Sequence, residues 1–266
     1  MHYAFRFLLL LAFCIAASIP QVQADLVFED DFMGDNVNGV DPVNWQWWIN
    51  AGLVWVDEAD DVPEHGPGVL VLGDQGETVH IGLEVDEVKQ LKDYRVDVLF
   101  TDRLIVGEEN DADFHIGIRC QEYDTDSEPS SCYEVEFDGD DNGPNNEVPE
   151  TGPTSFYIFT RGGDSELRGD EEFVTSSTRD IVPRPIKNQW YWLSLQAVGN
   201  VLSAKVWKYG EEEPDWILAT EDTQNEFESG GVRVGVWSGQ VHIAYIKVET
   251  VTEAPPTPVQ HWPLFK

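Results

Sequence analysis

From Tyr94 onward the chain alternates apolar and polar side chains in short runs. Tyr94-Arg95-Val96-Asp97-Val98-Leu99-Phe100 is one, followed by Phe114-His115-Ile116-Gly117-Ile118-Arg119 and Tyr133-Glu134-Val135-Glu136-Phe137. Ser155 to Arg161, Trp190 to Ala197, Val201 to Lys208, Val232 to Trp237 and Val241 to Val248 continue the series. A period of two puts successive side chains on opposite faces, so each run predicts a strand with one buried face. Each is bounded by Gly, Asn, Pro or Asp. Gly199-Asn200 and Ser238-Gly239 predict tight hairpin turns. The one helix candidate is Glu84 to Lys92. Many short strands with turn signals predict an all-β sandwich or barrel. No segment repeats at a period of roughly 20–50 residues, which argues against a propeller or solenoid.

Composition narrows this. The chain has 266 residues, with 16 Lys+Arg against 50 Asp+Glu, for a formal charge of −34. Aromatics make up 12% and hydrophobics 41%, so there is enough apolar surface to fold a core. The charge excludes nucleic acid as a partner, because affinity for phosphates comes from Lys and Arg. Anionic membranes are disfavoured for the same reason.

At the N-terminus, Arg6 precedes the apolar run Phe7–Ala17, and Val22-Gln23-Ala24 ends in a small residue. This predicts a signal peptide over 1–24, cleaved after Ala24, and a secreted or periplasmic protein. The run is too short to span a bilayer comfortably, so no membrane insertion is expected. The domain is expected over 25–250, as a monomer, followed by a Pro-rich tail over 251–266. Cys14 falls in the signal. Cys120 and Cys132 remain as a pair in an exported chain and predict a disulfide.

One face collects polar chemistry. Pairing the strands of Phe114–Arg119 and Tyr133–Phe137 antiparallel, apolar faces together, predicts Arg119 near Glu134 and His115 near Asp138. Paired carboxylates serve as acid and base or as acid and nucleophile, so Glu134, Glu136 and Arg119 are the catalytic candidates. His115, Arg119, Trp47 and Trp48 are the ligand-binding candidates, since flat indoles stack on sugar rings. By strand phase Cys120 falls on the apolar side and Cys132 on the polar side. A bridge between them therefore needs a bulge or a place beyond the regular ladder. Trp190, Trp192 and Trp207 alternate and fit one face. Asp138-Gly139-Asp140-Asp141-Asn142-Gly143 resembles the first half of a calcium loop, making Asp138, Asp140 and Asn142 metal candidates; the terminal Glu is missing at Pro149. Asp30 and Asp31 are a second calcium possibility. No organic cofactor motif occurs.

Three stretches carry a family resemblance. Val27-Phe28-Glu29-Asp30-Asp31-Phe32 with Asn44-Trp45 looks like the first strand of concanavalin A-like jelly rolls. Asp93 to Val98, Ile116 to Arg119 and Tyr133 to Glu136 resemble the 3-keto-disaccharide hydrolase domain family, near the laminin-G-like and family 16 glycoside hydrolase sandwiches. Trp190 to Leu195 and Gly231 to Trp237 fit the same pattern. The resemblance implies a concanavalin A-like jelly-roll β-sandwich of two antiparallel sheets, handling an oligo- or polysaccharide on a concave face. It departs from family 16, whose catalytic strand reads E-x-D-x-E or E-x-D-x-x-E. The nearest string here, Glu122-Tyr123-Asp124-Thr125-Asp126-Ser127-Glu128, enters a Ser/Pro loop. Three readings follow: a lectin-like binding module, a hydrolase of the keto-disaccharide type, and a structural or adhesive surface domain.

Overall fold

The computed structural model describes residues 24–33, 44–49, 54–73, 78–103, 113–121, 131–138, 155–161, 182–183, 186–224, 227–236 and 239–252, and only the backbone of 46–49, 138 and 155. It is a jelly-roll β-sandwich of two antiparallel sheets, as the family resemblance implies, and a sandwich rather than the barrel that the strand pattern left open. The strands are β1 (Leu26–Asp30), β2 (Trp45–Ile49), β3 (Val54–Glu58), β4 (Gly68–Leu72), β5 (Val79–Leu83), β6 (Tyr94–Asp102) and β7 (Phe114–Cys120). They continue with β8 (Cys132–Asp138), β9 (Ser155–Arg161), β10 (Trp190–Val198), β11 (Val201–Lys208), β12 (Leu218–Glu221), β13 (Gly231–Val236) and β14 (Val241–Thr250). The helix candidate is real but short, a single turn α1 (Asp86–Lys89).

The eight-stranded sheet runs β12-β11-β10-β6-β14-β4-β3. β1 joins it end to end with β4, since Leu26–Asp30 pairs with the second half of β14 and β4 with the first half. The six-stranded sheet runs β2-β5-β13-β7-β8-β9. Gly199-Asn200 does close the β10–β11 hairpin. Ser238-Gly239 does not close one: β13 and β14 lie in different sheets, so this connection crosses the sandwich. Both strands alternate in the same way, and alternation does not reveal which sheet a strand joins.

The apolar phases of both sheets meet in the core. Phe100 of β6 stacks on Phe114 of β7 at 4.3 Å and meets Phe137 of β8 edge-on at 6.1 Å. Phe137 in turn packs on Tyr191 of β10 at 5.7 Å. Each such ring contributes about 1.5–3 kcal/mol through burial.

Candidate functional site

The outward face of the six-stranded sheet carries the predicted polar cluster, in a two-residue shifted register. Gly117 stands opposite Glu134 and His115 opposite Glu136, where Arg119/Glu134 and His115/Asp138 were expected. The ladder continues across the sheet. One row reads Gly82, Arg233, Gly117, Glu134, Phe159, and the next reads His80, Gly235, His115, Glu136, Tyr157. Between β5 and β7 a glycine thus stands beside each long side chain. A Cβ on Gly117 would lie 2.6 Å from Arg233 Cγ, and one on Gly235 would lie 2.2 Å from His80 Cδ2 and 2.4 Å from His115 Nε2. The missing side chains let Arg233 lie across Gly117 to reach Glu134, and let the two imidazoles meet over Gly235.

Glu134 is clamped. Arg233 pairs with its Oε1, and Arg161 Nε donates to its Oε2 at 2.8 Å. The Cys132 thiol donates to Oε1 at 3.2 Å. Glu136 Oε1 accepts from Tyr157 Oη at 2.5 Å. The guanidinium of Arg161 also sits over the Phe159 ring.

The histidine pair completes the layer. His80 Nε2 and His115 Nε2 are 2.8 Å apart, and Arg233 NH1 lies 3.3 Å from His80 Nδ1. A guanidinium only donates, so His80 Nδ1 is the acceptor. The His80 hydrogen is therefore on Nε2, His115 accepts it, and His115 Nδ1–H faces the Asp113 carbonyl at 3.2 Å. Burial, aided by Arg233, pushes His80 down to about 2, and burial pushes His115 well below its ordinary value. Both are neutral, as this chain of hydrogen bonds requires. None of His80, His115, Glu134, Glu136 and Arg233 is exposed beyond 3%, so this face is a buried polar layer.

Arg119 is not part of it. Its φ of 52° lies in the left-handed region, and the β7–β13 register slips by one residue at that point. This bulge breaks the alternation. Arg119 turns to the end of the sandwich, where its Nε and NH2 donate to the Lys92 carbonyl, NH2 also to that of Gly199, and NH1 to that of Phe227. Its backbone N–H donates to Tyr94 Oη at 2.6 Å. The same bulge carries Cys120 to the polar side, close to the thiol of Cys132. The two cysteines are buried free thiols in this structure. Burial pushes the Cys132 thiol well up.

The remaining candidates are only partly visible. Trp47 and Trp48 lie in β2, with side chains outside the described residues. Asp138 ends β8 opposite Ser155. Its side chain, Asp140 and Asn142 lie outside the described residues, as does Glu122 to Glu128. Asp30 is occupied locally: it accepts from the Phe32 N–H at 2.9 Å and from Trp45 Nε1 at 3.2 Å. Among the described residues no three His, Cys, Asp or Glu side chains are grouped to hold a metal ion. No helix among them is long and apolar enough to cross a membrane.

His80, Arg233, Arg161 and Tyr157 were missed. A signal exists for the first two. In Val79-His80-Ile81-Gly82-Leu83 and Val232-Arg233-Val234-Gly235-Val236, one polar residue and one glycine share the outward phase.

A second surface lies on the outward face of the eight-stranded sheet. Trp192 and Trp207 are cross-strand partners with rings 6.1 Å apart and 20° from parallel. His65 stacks on Tyr245 at 4.2 Å, and Tyr245 meets Trp192 edge-on. Trp55, Trp190 and Tyr209 join the cluster, which confirms one face for Trp190, Trp192 and Trp207. Trp55, His65, Trp192, Tyr209 and Tyr245 are half-buried.

No protein-family model and no curated protein matches the chain. Solved structures match its layout. The carbohydrate-binding module CBM66 from Bacillus subtilis is 12% identical, with a TM-score of 0.44 over 81% of this chain and 99% of that one. The exoplasmic/lumenal domain of VIP36 in its Ca2+-bound form is 11% identical, with a TM-score of 0.48 over 82% and 87%. A xylan β-1,4-xylosidase from Bacillus halodurans is 12% identical, with a TM-score of 0.46 over 83% of this chain and 38% of that one. At this level the similarity is one of sheet layout.

Proposed function

We propose that the chain is an exported glycan-binding module whose binding surface is the aromatic face of the eight-stranded sheet. The observation that carries this reading is the group of partly buried aromatic residues around Trp192 and Tyr245 on an outward sheet face. The sandwich core does not need these rings, and aromatic faces stack on the apolar faces of pyranoses. Glu134 weighs against hydrolysis through the other face. Both its oxygens are engaged and the residue is fully buried, whereas a glycosidase pair must face the scissile bond. The test is binding of the purified chain to a panel of polysaccharides. Trp192→Ala with Tyr245→Ala should lower affinity about tenfold or more at unchanged fold, the loss of stacking at a binding hot spot. Retained affinity in that variant would move the site elsewhere.

The second reading is a hydrolase of the keto-disaccharide type. Its support is that Glu134 and Glu136 share one strand phase and that Glu136 bonds Tyr157. Glu136→Gln should then abolish sugar turnover and leave binding intact.

Export, the Cys120–Cys132 bridge and calcium at Asp138, Asp140 and Asn142 belong to the same proposal. The side-by-side thiols support the bridge. A chelator should lower Tm if calcium is linked to folding.

A further inference from the structure

We propose that the polar end of the aromatic face is a carboxylate-binding subsite built by Arg95, Lys205 and Trp216, and that the glycan it takes contains uronic acid. This rests on the glycan-binding reading above.

The sheet register sets the geometry. The row after Trp207 and Trp192 is Lys205, Ser194, Asp97, Lys247. Arg95 stands one row further, opposite Gln196. Rows on one face are two residues apart, about 7 Å along the strand, close to the span of one pyranose ring. A sugar stacked on Trp192, the more exposed of the two indoles, therefore extends a ring substituent toward the row of Lys205.

Both cations are fixed from below. Arg95 Nε pairs with Asp97 at 2.5 Å and its NH2 donates to Ser194 Oγ at 3.3 Å. Asp97 also accepts from Ser194 and pairs with Lys247 at 3.4 Å. Lys205 Nζ donates to the Pro214 carbonyl at 3.3 Å. It lies 4.3 Å from the centre of the Trp216 ring and 5.8 Å from that of Trp207, and the Arg95 guanidinium is 5.5 Å from Trp216.

One carboxylate already sits here. Glu213 Oε1 pairs with Lys205 at 2.5 Å and with Arg95 at 2.8 Å. The three partners differ in exposure: 7% for the Lys205 side chain, 21% for Arg95 and 46% for Glu213. The cations belong to the sheet, while the acid reaches them from the exposed segment between β11 and β12. A uronate can replace Glu213 on the same two donors, with a tryptophan ring alongside. The net charge of −34 opposes an acidic ligand at long range. At about 0.1 M salt that repulsion is screened beyond roughly 10 Å, while contact with the two cations is not.

The experiment is calorimetric titration of the full chain with an oligogalacturonate and with the same oligomer after carboxyl reduction, plus the polysaccharide panel. The acidic oligomer should bind and the reduced one should bind at least about tenfold more weakly, the effect of truncating a buried charged contact. Glu213→Gln should tighten the acidic oligomer, since it removes the carboxylate that competes for Lys205 and Arg95. Lys205→Met and the milder Lys205→Gln should weaken the acidic oligomer by a larger factor than the carboxyl-reduced one. Equal binding of the two oligomers, or charge variants without effect, overturns the subsite. Trp192-dependent binding of neutral glycans alone would sink the subsite and keep the module reading. No binding to any glycan would remove both.

Discussion

His80 and His115 face each other Nε2 to Nε2 at 2.8 Å, and only one hydrogen fits between them. Arg233 on one side and the Asp113 carbonyl on the other fix which ring supplies it. A further proton on either ring would turn this contact into two donors. Around the pair stand Arg233 on β13, Glu134 and Glu136 on β8, and Tyr157 and Arg161 on β9.

The first prediction concerns acid. Both histidines titrate lower in the folded chain than in the unfolded one. Stability is therefore complete above the unfolded value of about 6.5 and falls as pH drops below it, because the unfolded chain takes up protons first. The limiting slope is about 1.4 kcal/mol per pH unit per histidine. His242, pushed by burial to about 4, adds in the same sense. Urea midpoints between pH 7 and 5 should decline in the native chain and decline less in His80→Gln/His115→Gln. Identical slopes would mean that the pair does not carry the effect.

The two glycines of the polar layer are space holders. Gly117→Ala and Gly235→Ala should each destabilise by about 1–3 kcal/mol, the range for overpacking a filled site. Chemical denaturation measures this. A neutral Gly235→Ala would contradict the crossing of the imidazoles over that position.

Arg233→Ala should cost about 3–5 kcal/mol, because it strips Glu134 of one of its two guanidinium partners in the interior. Arg233→Met with Glu134→Leu should recover part of that loss, since the charge is then removed together with its partner. Thermal unfolding of the three chains decides it. A double variant no more stable than the single one would argue against a clamp.

Arg119→Ala should lower Tm through the lost bonds to the Lys92, Gly199 and Phe227 carbonyls. Glycan affinity of the folded fraction should stay unchanged. A selective loss of affinity at unchanged Tm would return Arg119 to the binding site.

Oxidation of Cys120 and Cys132 in an oxidising compartment should close a loop worth about 3 kcal/mol in the chain-entropy model. Non-reducing peptide mapping should find the bridge, and reduction should lower Tm. Two free thiols in chain recovered from the exported fraction would count against both the bridge and an oxidising compartment.

The strands from Tyr94 onward, β12 apart, with their faces and the β7–β8 pairing, were legible because a period of two is written directly in the residues; β3, β4, β5 and β12 were not read. The register was not. A slip of two residues keeps every apolar side chain of β7 and β8 on the core face, so pattern alone cannot choose between Arg119/Glu134 and Gly117/Glu134. The bulge at Arg119 was equally hidden, because a left-handed arginine has no local signature. It decided two assignments at once, taking Arg119 away from the polar layer and bringing Cys120 to Cys132. The strand of His80 is only five residues long, and its alternation was too brief to separate from loop.

Because β1 and β14 are neighbours, the fold returns to its own starting point. The Thr250 N–H donates to the Asp25 carbonyl at 2.9 Å, and the Asp25 N–H to Thr250 Oγ1 at 3.0 Å. A few flexible residues would join position 250 to position 25, and the chain can be reopened at the exposed turn of Gly210 and Glu211. A circular permutant of that kind keeps both sheets intact. The same closure sets positions 25 and 250 side by side, so the two junctions of an insertion into a surface loop of another protein would be adjacent.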